Sequence, residues 1–186
     1  MHRSKVMHTE RKKILIRQLL PGDVSDNYLA WMNDPEVTQF LESRWKPYQR
    51  EDLESFVSSI RASGDDFLFG IFLSETGGHI GNIKIGSINR FHRYADLGLV
   101  IGAKKFWGQG IATEAIRLAT EYAFQELDLN KLVAQIYAPN IGSRKAFENA
   151  GYRIVGQYTK HRFYKGRFVD AVLVERCRND GADYGT

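Results

Sequence analysis

The sequence KFWGQGIATEA, residues Lys105–Ala115, is the most informative part of the chain. It follows the apolar run Leu97–Ile101, which is typical of a buried strand, and it precedes apolar residues that recur at helical spacing. Gly108 and Gly110 therefore stand between a predicted strand and a predicted helix. Glycine lets the backbone approach a ligand closely, and the first amides of a helix have no partner within the helix. The stretch predicts a binding site for an anionic group such as a phosphate or pyrophosphate.

A glycine pair of this spacing also fits a plain tight turn, and two well-known phosphate motifs do not match it. The dinucleotide-binding fingerprint requires a third glycine where this chain has Thr113. The phosphate loop of nucleoside triphosphatases requires Gly-Lys-Ser/Thr, whereas Gly110 is followed by Ile111 and Ala112. If the stretch is an anion site rather than a plain turn, it belongs to neither of these two classes of phosphate-binding protein.

Two sequence blocks resemble the GNAT N-acetyltransferases. Residues 107–112 are similar to the family's pyrophosphate loop, Gln/Arg-x-x-Gly-x-Gly/Ala, with Trp107 in the first position. That replacement is common in the branch of the RimJ- and RimL-type ribosomal-protein N-terminal acetyltransferases, which the run Phe106–Ala115 resembles. The block Asn140–Tyr152 is similar to the family's Asn-x-x-Ser/Ala…Glu-x-x-Gly-Phe segment. The resemblance extends loosely over residues 14–177, and two blocks in the family's order are far more specific than one.

The resemblance implies an α/β (α+β) GNAT fold as a single domain over residues 1–186, with a core of about 14–177 and flexible termini. This fold has a mixed, mostly antiparallel sheet of about seven strands flanked by about four helices, and two neighbouring strands splay apart at the coenzyme. Periodicity alone predicts one α/β or α+β domain with a strand–loop–helix–strand crossover from Leu97 to Tyr137. The predicted order is β-α-α-β-β-β-α-β-α-β-β.

The resemblance also implies acetyl-coenzyme A as a cosubstrate and no metal. The pantetheine arm of the coenzyme would lie between the strands 96–101 and 131–137, and backbone amides of the glycine loop would hold its pyrophosphate. Asn140 would contact the pantetheine region, although it is equally suited to cap a helix. The candidate coenzyme-binding residues are Leu99, Val100, Ile101, Trp107, Gly108, Gln109, Gly110, Ile111, Ala112, Thr113, Asn140 and Ser143.

Acetyl transfer to an amine also requires a proton donor for the leaving thiolate. Many family members have a tyrosine for this purpose at the position of Phe147, which has no hydroxyl group. The resemblance to the RimJ/RimL branch implies Ser143 as the donor instead. Tyr137 and Tyr152 are alternatives, and Ser143 could also be an ordinary helix residue.

The second requirement is a base that removes a proton from the amine. Asp96 begins the strand that would face the coenzyme, and Glu42 lies in the early region that shapes the acceptor site in this fold. Either carboxylate could accept the proton directly or through water, and either could equally form a plain salt bridge. The candidate catalytic residues are Ser143, Asp96 and Glu42.

The charge and composition of the chain limit the kinds of partner that it is expected to bind. The chain has 186 residues and a formal net charge of +4, which suits an anionic ligand such as coenzyme A. Its basic residues are interspersed with acidic ones, so nucleic acid is not expected as a partner. No apolar run is long enough to span a bilayer, and the single Cys177 favours a cytoplasmic location. The sequence leaves a homodimer open.

The sequence therefore predicts an acetyl-coenzyme A-dependent N-acetyltransferase in which a primary amine attacks the thioester directly in a ternary complex. The acceptor would be a small amine, such as a nucleotide-linked amino sugar, or a protein N-terminal amine. The alternative is a non-catalytic acyl-coenzyme A-binding or sensor protein of the same fold. Six aromatic residues are expected around the acceptor and favour one that contains a ring: Trp31, Trp45, Phe91, Tyr94, Tyr158 and Tyr164.

Overall fold

A computed structural model describes residues 6–9 and 13–178, which form one mixed sheet with helices on its two faces. The strand order is β1-β2-β3-β4-β5-β6-β8-β7, and every neighbouring pair is antiparallel except β5 with β6. The strands are β1 (Met7–Thr9), β2 (Ile14–Gln18), β3 (Phe67–Leu73), β4 (His79–Asn89), β5 (Tyr94–Ile101), β6 (Lys131–Tyr137), β7 (Arg153–Tyr164) and β8 (Arg167–Cys177). The helices are α1 (Asp26–Asn33), α2 (Pro35–Thr38), α3 (Arg50–Ser63), α4 (Ile111–Gln125) and α5 (Ile141–Asn149).

The predicted fold class is confirmed, with two more elements than the sequence indicated. The sheet has eight strands in the described residues rather than about seven, because the short strand β1 pairs with β2 at the sheet edge. The fifth helix is α2, which begins at Pro35 with Asp34 as its N-cap. The predicted flexible termini lie largely outside the described residues, and the single domain spanning 1–186 stays a prediction.

Helix α4 covers one face of the sheet because its apolar residues share one side. Ala115, Ile116, Ala119 and Ala123 are fully buried against core residues of the strands. Small alanines at helical spacing let the helix axis approach the sheet closely. Since α4 begins directly after the glycine loop, this packing fixes the position of the loop beyond the C-terminal end of β5.

The opposite face is covered at β2 and β3 by helices α1 and α3. Tyr28 of α1 and Val57 of α3 pack with Leu19 and Phe72 into a second, smaller core. Trp31 of α1 lies so close to Gly102, just after β5, that a Cβ atom at this glycine would stand 2.0 Å from the indole. Only glycine fits there. The contact packs helix α1 against the end of β5, the strand that leads to the glycine loop.

His79 lies in an aromatic enclosure beside this second core. Its ring stacks on Phe72 and meets Tyr28 and Trp31 edge-on, with ring centroids between 4.8 and 5.6 Å apart. Nε2 lies 2.9 Å from the carbonyl oxygen of Gly81, so Nε2 carries the hydrogen in the neutral ring. Nδ1 is buried and has no partner among the described residues. Burial lowers the pKa of His79, because a second ring proton would have no acceptor.

This enclosure should make the stability of the fold depend on pH. The unfolded chain binds a proton at His79 more readily than the folded chain does, so the stabilisation is complete above about pH 6.5 and declines below it. We expect the urea midpoint of the wild type to fall between pH 7.5 and 5.5, and the fall to be smaller in His79→Gln. Equal slopes in the two proteins would show that His79 does not contribute.

Candidate active site

A gap opens in the centre of the sheet between β5 and β6. These parallel strands pair only at three positions, from Tyr94 opposite Lys131 to Asp96 opposite Val133. Beyond this point each strand stays bonded to its outer neighbour, β5 as far as Ile101 and β6 as far as Tyr137. Leu99, Val100 and Ile101 are correspondingly only half-buried, unlike the earlier core residues of β5. The predicted splay is therefore present, and an extended ligand could lie along the free edges.

The glycine loop closes the wide end of this gap. Gly108 and Gly110 have positive φ angles of 73° and 78°, a conformation that side chains rarely adopt. Among the described residues, the amides of Gly108, Gln109 and Gly110 donate to no acceptor. Gly110 caps α4, so the amides of its first turn also point outward at the positive end of the helix dipole. This loop has the donors and the open space that a pyrophosphate requires.

The side chains of Trp107 and Gln109 stabilise the conformation of the loop rather than occupying the space at its free amides. The indole Nε1 of Trp107 donates to the carbonyl oxygen of Ile101 at 2.7 Å, tying the loop to the end of β5. Nε2 of Gln109 donates to the carbonyl oxygen of Lys105 at 2.6 Å. Lys104, just before the loop, forms 2.7 Å ion pairs with both Asp34 and Glu36, which connects the loop to α2.

Helix α5 begins beside the C-terminal end of β6 and carries the predicted proton donor. Asn140 caps the helix by accepting a hydrogen bond from the amide of Ser143 at 3.1 Å. The hydroxyl of Ser143 is half-buried and has no hydrogen-bond partner among the residues described here. Phe147 is buried and packs edge-on against Tyr152. Ser143 therefore has a free hydroxyl, while the phenylalanine belongs to the core.

Glu42 and Tyr137 come together at the open end of β6. The hydroxyl of Tyr137 donates to Oε1 of Glu42 at 2.8 Å and accepts from Nη1 of Arg44 at 2.9 Å. Burial, reinforced by the hydrogen bond to Glu42, raises the pKa of Tyr137, so the phenol stays protonated and keeps donating to the carboxylate. Glu42 itself remains substantially exposed and can meet a substrate. Tyr137 thus holds a carboxylate in place at the mouth of the gap.

Two arginines complete this cluster. The guanidinium of Arg44 lies over Trp45 at 3.9 Å and donates to the carbonyl oxygen of Phe163 at 3.0 Å. Arg162 of β7 lies 3.5 Å from Glu42. Its Nε is buried without a partner among the described residues. Neither arginine was predicted from the sequence, because residues 44 and 162 are far apart in sequence. They meet only because β7 pairs with β8, which in turn lies next to β6.

A cavity of about 360 Å³ adjoins the cluster, between helices α1 and α2 and the loop that precedes α3. Its size is within the range of small-molecule sites. Arg44 belongs both to this cavity and to the Tyr137 cluster, so the two are continuous. The cavity is lined by Met32, Asn33, Pro35, Thr38, Gln39, Arg44, Trp45, Lys46 and Pro47.

The remaining candidates lie elsewhere. Asp96 is at the closed end of the gap, in the last paired position of β5, and is exposed. Its partner Val133 precedes Tyr137 by four residues, which is about 13 Å along a strand. The structure therefore does not bring Asp96 together with Glu42. Tyr152 is buried, shares a 2.8 Å hydrogen bond with Thr120, and has a raised pKa because of its burial, so it is unsuited to donate a proton in the gap.

The prediction that six aromatic residues surround the acceptor is only partly correct. Trp45 lines the cavity, and Tyr164 stacks on Phe40 next to Tyr137. Trp31 packs around His79 instead. Phe91 and Tyr94 lie at the turn between β4 and β5, where the gap is closed, so they cannot line the open end.

A family model described as an acetyltransferase (GNAT) domain matches residues 13–153. The chain belongs to the GNAT acetyltransferase family. The predictions of this family and of an acetyltransferase enzyme are therefore confirmed. No helix in residues 6–9 and 13–178 has the length and apolar character needed to cross a membrane. Nor do those residues contain a cluster of His, Cys, Asp or Glu suited to a metal ion, and a metal-free reaction stays a prediction.

Several relatives of the GNAT chain are N-acetyltransferases by name. An uncharacterized N-acetyltransferase of Bacillus licheniformis is 27% identical over 95% of this chain and 98% of its own length. The probable N-acetyltransferase YjcK of Bacillus subtilis is 30% identical over 86% of this chain and 91% of its own. A spermidine N(1)-acetyltransferase of Escherichia coli is 28% identical, over 52% of this chain and 51% of its own length.

Solved structures share the fold. Spermidine N-acetyltransferase from Vibrio cholerae, in complex with CoA and spermine, superposes with a TM-score of 0.78 at 23% identity, covering 89% of this chain and 95% of that one. RimL, a ribosomal alpha-N-protein acetyltransferase in complex with coenzyme A, gives a TM-score of 0.82 at 16% identity, covering 93% and 98%. At these identities the likeness establishes a common fold and leaves the acceptor open.

Proposed function

We propose that this GNAT protein transfers an acetyl group from acetyl-coenzyme A to a primary amine by direct attack in a ternary complex. The observation that carries this proposal is the gap between β5 and β6, which ends at a loop of free backbone amides. Both features suit an extended thioester carrying a pyrophosphate. The structures of RimL and of the Vibrio cholerae enzyme, each in complex with the coenzyme, support this assignment.

The coenzyme would be held mainly by peptide groups. The free edge of β5 at Leu99 would bond the pantetheine arm, while the carbonyl of Ile101 is already engaged by Trp107 and the backbone of Val100 is directed to Asn82 of β4. The amides of the loop and of the first turn of α4 would bind the pyrophosphate. Asn140 would act through its position at the start of α5, since its side-chain oxygen is used by the helix cap. The loop residues with this role are Gly108, Gln109, Gly110, Ile111, Ala112 and Thr113.

Glu42 is the better candidate for the base. It is the carboxylate held by Tyr137 at the open end of the gap, whereas Asp96 lies where the two strands are still paired. The carboxylate of Glu42 would take a proton from the ammonium, directly or through water, and the amine nitrogen would then form a bond to the acetyl carbon. A hydrogen bond from Tyr137 keeps the carboxylate in place without neutralising it, so Tyr137 is a positioning residue.

Ser143 is the candidate proton donor for the departing thiolate. Its hydroxyl is free, it is half-buried, and it lies in the first turn of the helix that follows β6. As the carbon–sulfur bond breaks, the electron pair stays on sulfur, and the hydroxyl would supply the proton that completes the thiol. The serine oxygen would regain a proton from water, so the hydroxyl is restored in each turnover. Tyr137 is less suitable, because its proton is committed to Glu42.

The acceptor is proposed to be an amine that loses its proton easily. The proposed base is a carboxylate, and carboxylates in general are far weaker bases than primary amines, so the cost of deprotonating the acceptor has to be small. A protein N-terminal amine titrates near 7.7–8.0 and a lysine near 10.4, a difference of about 2.5 units or roughly 3 kcal/mol. Amino sugars are favoured for the same reason, since their ring oxygens withdraw charge from the amine.

The test measures release of free thiol from acetyl-coenzyme A with matched amines at pH 7.5. We expect an amino-sugar nucleotide or a peptide with a free N-terminus to react at least about tenfold faster than an N-terminally blocked peptide whose only amine is lysine. Efficient lysine acetylation would show that a stronger base is present. Tight coenzyme binding without thiol release from any amine would support the non-catalytic alternative instead.

A further inference from the structure

The cavity next to the Glu42–Tyr137 pair is lined by cations and by no carboxylate. Arg44 and Lys46 contribute positive charge to its wall, and none of the described residues that line it is Asp or Glu. Trp45 lies between them in the sequence and is 65% exposed, so its indole is available to a ligand. The neighbouring cluster contains one carboxylate, that of Glu42, and two guanidinium groups, those of Arg44 and Arg162.

The charge of Arg44 is not neutralised within the described part of the chain. Its guanidinium donates to the backbone carbonyls of Leu41 and Phe163 and to the hydroxyl of Tyr137, and all three acceptors are neutral. Lys46 has one acidic neighbour, Asp52, at 3.6 Å, but both side chains are well exposed. Such a pair contributes little and exchanges readily for a ligand. Within the described residues the positive charge of the cavity wall is therefore offset only in part, by Asp52 beside Lys46 and by Glu42 on the far side of the Tyr137 hydroxyl.

Arg162 adds a second incompletely satisfied guanidinium. It donates to Oε1 of Gln135 at 2.9 Å and lies 3.5 Å from Glu42, while its buried Nε has no partner among the described residues. A guanidinium binds a carboxylate or phosphate more strongly than it binds neutral acceptors, because such hydrogen bonds are charge-assisted and often bidentate. The site is thus prepared for an oxyanion near the amine that Glu42 would deprotonate.

We propose that the acceptor of this enzyme is a small amine that also carries an oxyanion, a phosphate or a carboxylate, and that polyamines are poor substrates. This inference rests on the function proposed above and specifies its acceptor. The oxyanion contacts the wall formed by Arg44 and Lys46, a ring of the acceptor packs on Trp45, and the amine points to Glu42. A polyamine would place its second ammonium against these cations, with no carboxylate in the cavity wall to receive it.

The test compares kcat/KM for three amino sugars that differ only at carbon 6, and for a polyamine. The panel is glucosamine, its 6-phosphate, its 6-carboxylate (the amino uronic acid) and spermidine, each with saturating acetyl-coenzyme A. We expect the two anionic sugars to react about tenfold or more better than glucosamine, and spermidine to be the poorest acceptor. The phosphate and carboxylate arms show which oxyanion the site prefers.

A charge-reversed variant links this preference to the cavity. Lys46→Glu should reduce the ratio of anionic to neutral acceptor to about threefold or less, because a carboxylate then faces the bound oxyanion. Lys13→Glu makes the same charge change on another exposed lysine at the start of β2, outside the cavity wall, and should keep the wild-type ratio.

The outcomes separate the two proposals. Equal rates with glucosamine and its anionic derivatives, or faster acetylation of spermidine, would overturn the inference about the acceptor and leave the acetyltransferase function intact. The same preference in Lys46→Glu as in the wild type would also overturn it. Failure to acetylate any amine of either panel would overturn the proposed function itself, together with this inference.

Discussion

Replacing Gly108 with aspartate should abolish coenzyme binding without unfolding the protein. A Cβ atom at this position meets nothing within 4 Å, so a side chain fits sterically, but its carboxylate would stand among the amides proposed for the pyrophosphate. Charge repulsion at such short range should weaken coenzyme A binding by at least about 100-fold. Isothermal titration calorimetry with coenzyme A measures the affinity, and circular dichroism checks the fold.

Gly108→Asn is the matched control. Asparagine and aspartate both tolerate a positive φ such as the 73° found here, and they have the same size. We expect the asparagine variant to lose about tenfold or less, since it adds no charge. Equal losses in the two variants would indicate that the shape of the loop matters rather than an anion, and unchanged affinity in the aspartate variant would place the pyrophosphate elsewhere.

Replacing Glu42 with glutamine should lower kcat by about 100-fold or more, with coenzyme affinity nearly unchanged. Glutamine keeps the length of the side chain and an oxygen that can accept the hydrogen bond from Tyr137, but it cannot take up the proton of the ammonium. The loss would therefore report the chemical step and not a disrupted cluster. Steady-state kinetics with a saturating amino-sugar acceptor, combined with calorimetry, measures both quantities.

Three further variants distinguish the roles of the neighbouring groups. Tyr137→Phe should cost about tenfold, because the carboxylate loses a positioning bond. Ser143→Ala should cost about 100-fold if its hydroxyl protonates the thiolate, and Asp96→Asn should stay within about threefold. A large loss of kcat in Asp96→Asn together with a small loss in Glu42→Gln would indicate that Asp96, and not Glu42, is the base. A loss of kcat below threefold in Ser143→Ala would indicate that this serine is an ordinary helix residue.

The architecture could be predicted from local patterns because each pattern has a local physical cause. Alanines at helical spacing and a glycine pair are enough to place α4 and its loop, and the Lys165–Gly166 turn marks the last hairpin. The short helix α2 was not predicted, since Asn33-Asp34-Pro35 indicates the end of α1. The same residues also begin α2, because Asp34 caps this helix and Pro35 occupies its first turn, where its missing amide costs nothing.

The glycine loop proposed to bind the coenzyme could be proposed from the sequence, whereas the cluster of Glu42 and Tyr137 could not. The loop consists of backbone donors on consecutive residues, so its chemistry can be inferred from a single stretch of sequence. The cluster joins Glu42 and Arg44 to Tyr137 and Arg162, and these residues meet only through the order of the strands at one side of the sheet. An isolated glutamate in a loop cannot reveal that a buried phenol will hold its carboxylate.

The three parallel pairs between β5 and β6 also have a mechanical consequence. They divide the sheet into two panels, one of five strands and one of three, which share a narrow seam at residues 94–96 and 131–133. A ligand that bonds the free edges of both strands would act as an additional strand and lengthen the seam. Part of its binding energy would then stabilise the position of one panel relative to the other. The rigidity of the sheet would therefore depend on whether the ligand is bound. Without the ligand, the protein would be most flexible at the site where the proposed catalysis requires the greatest order.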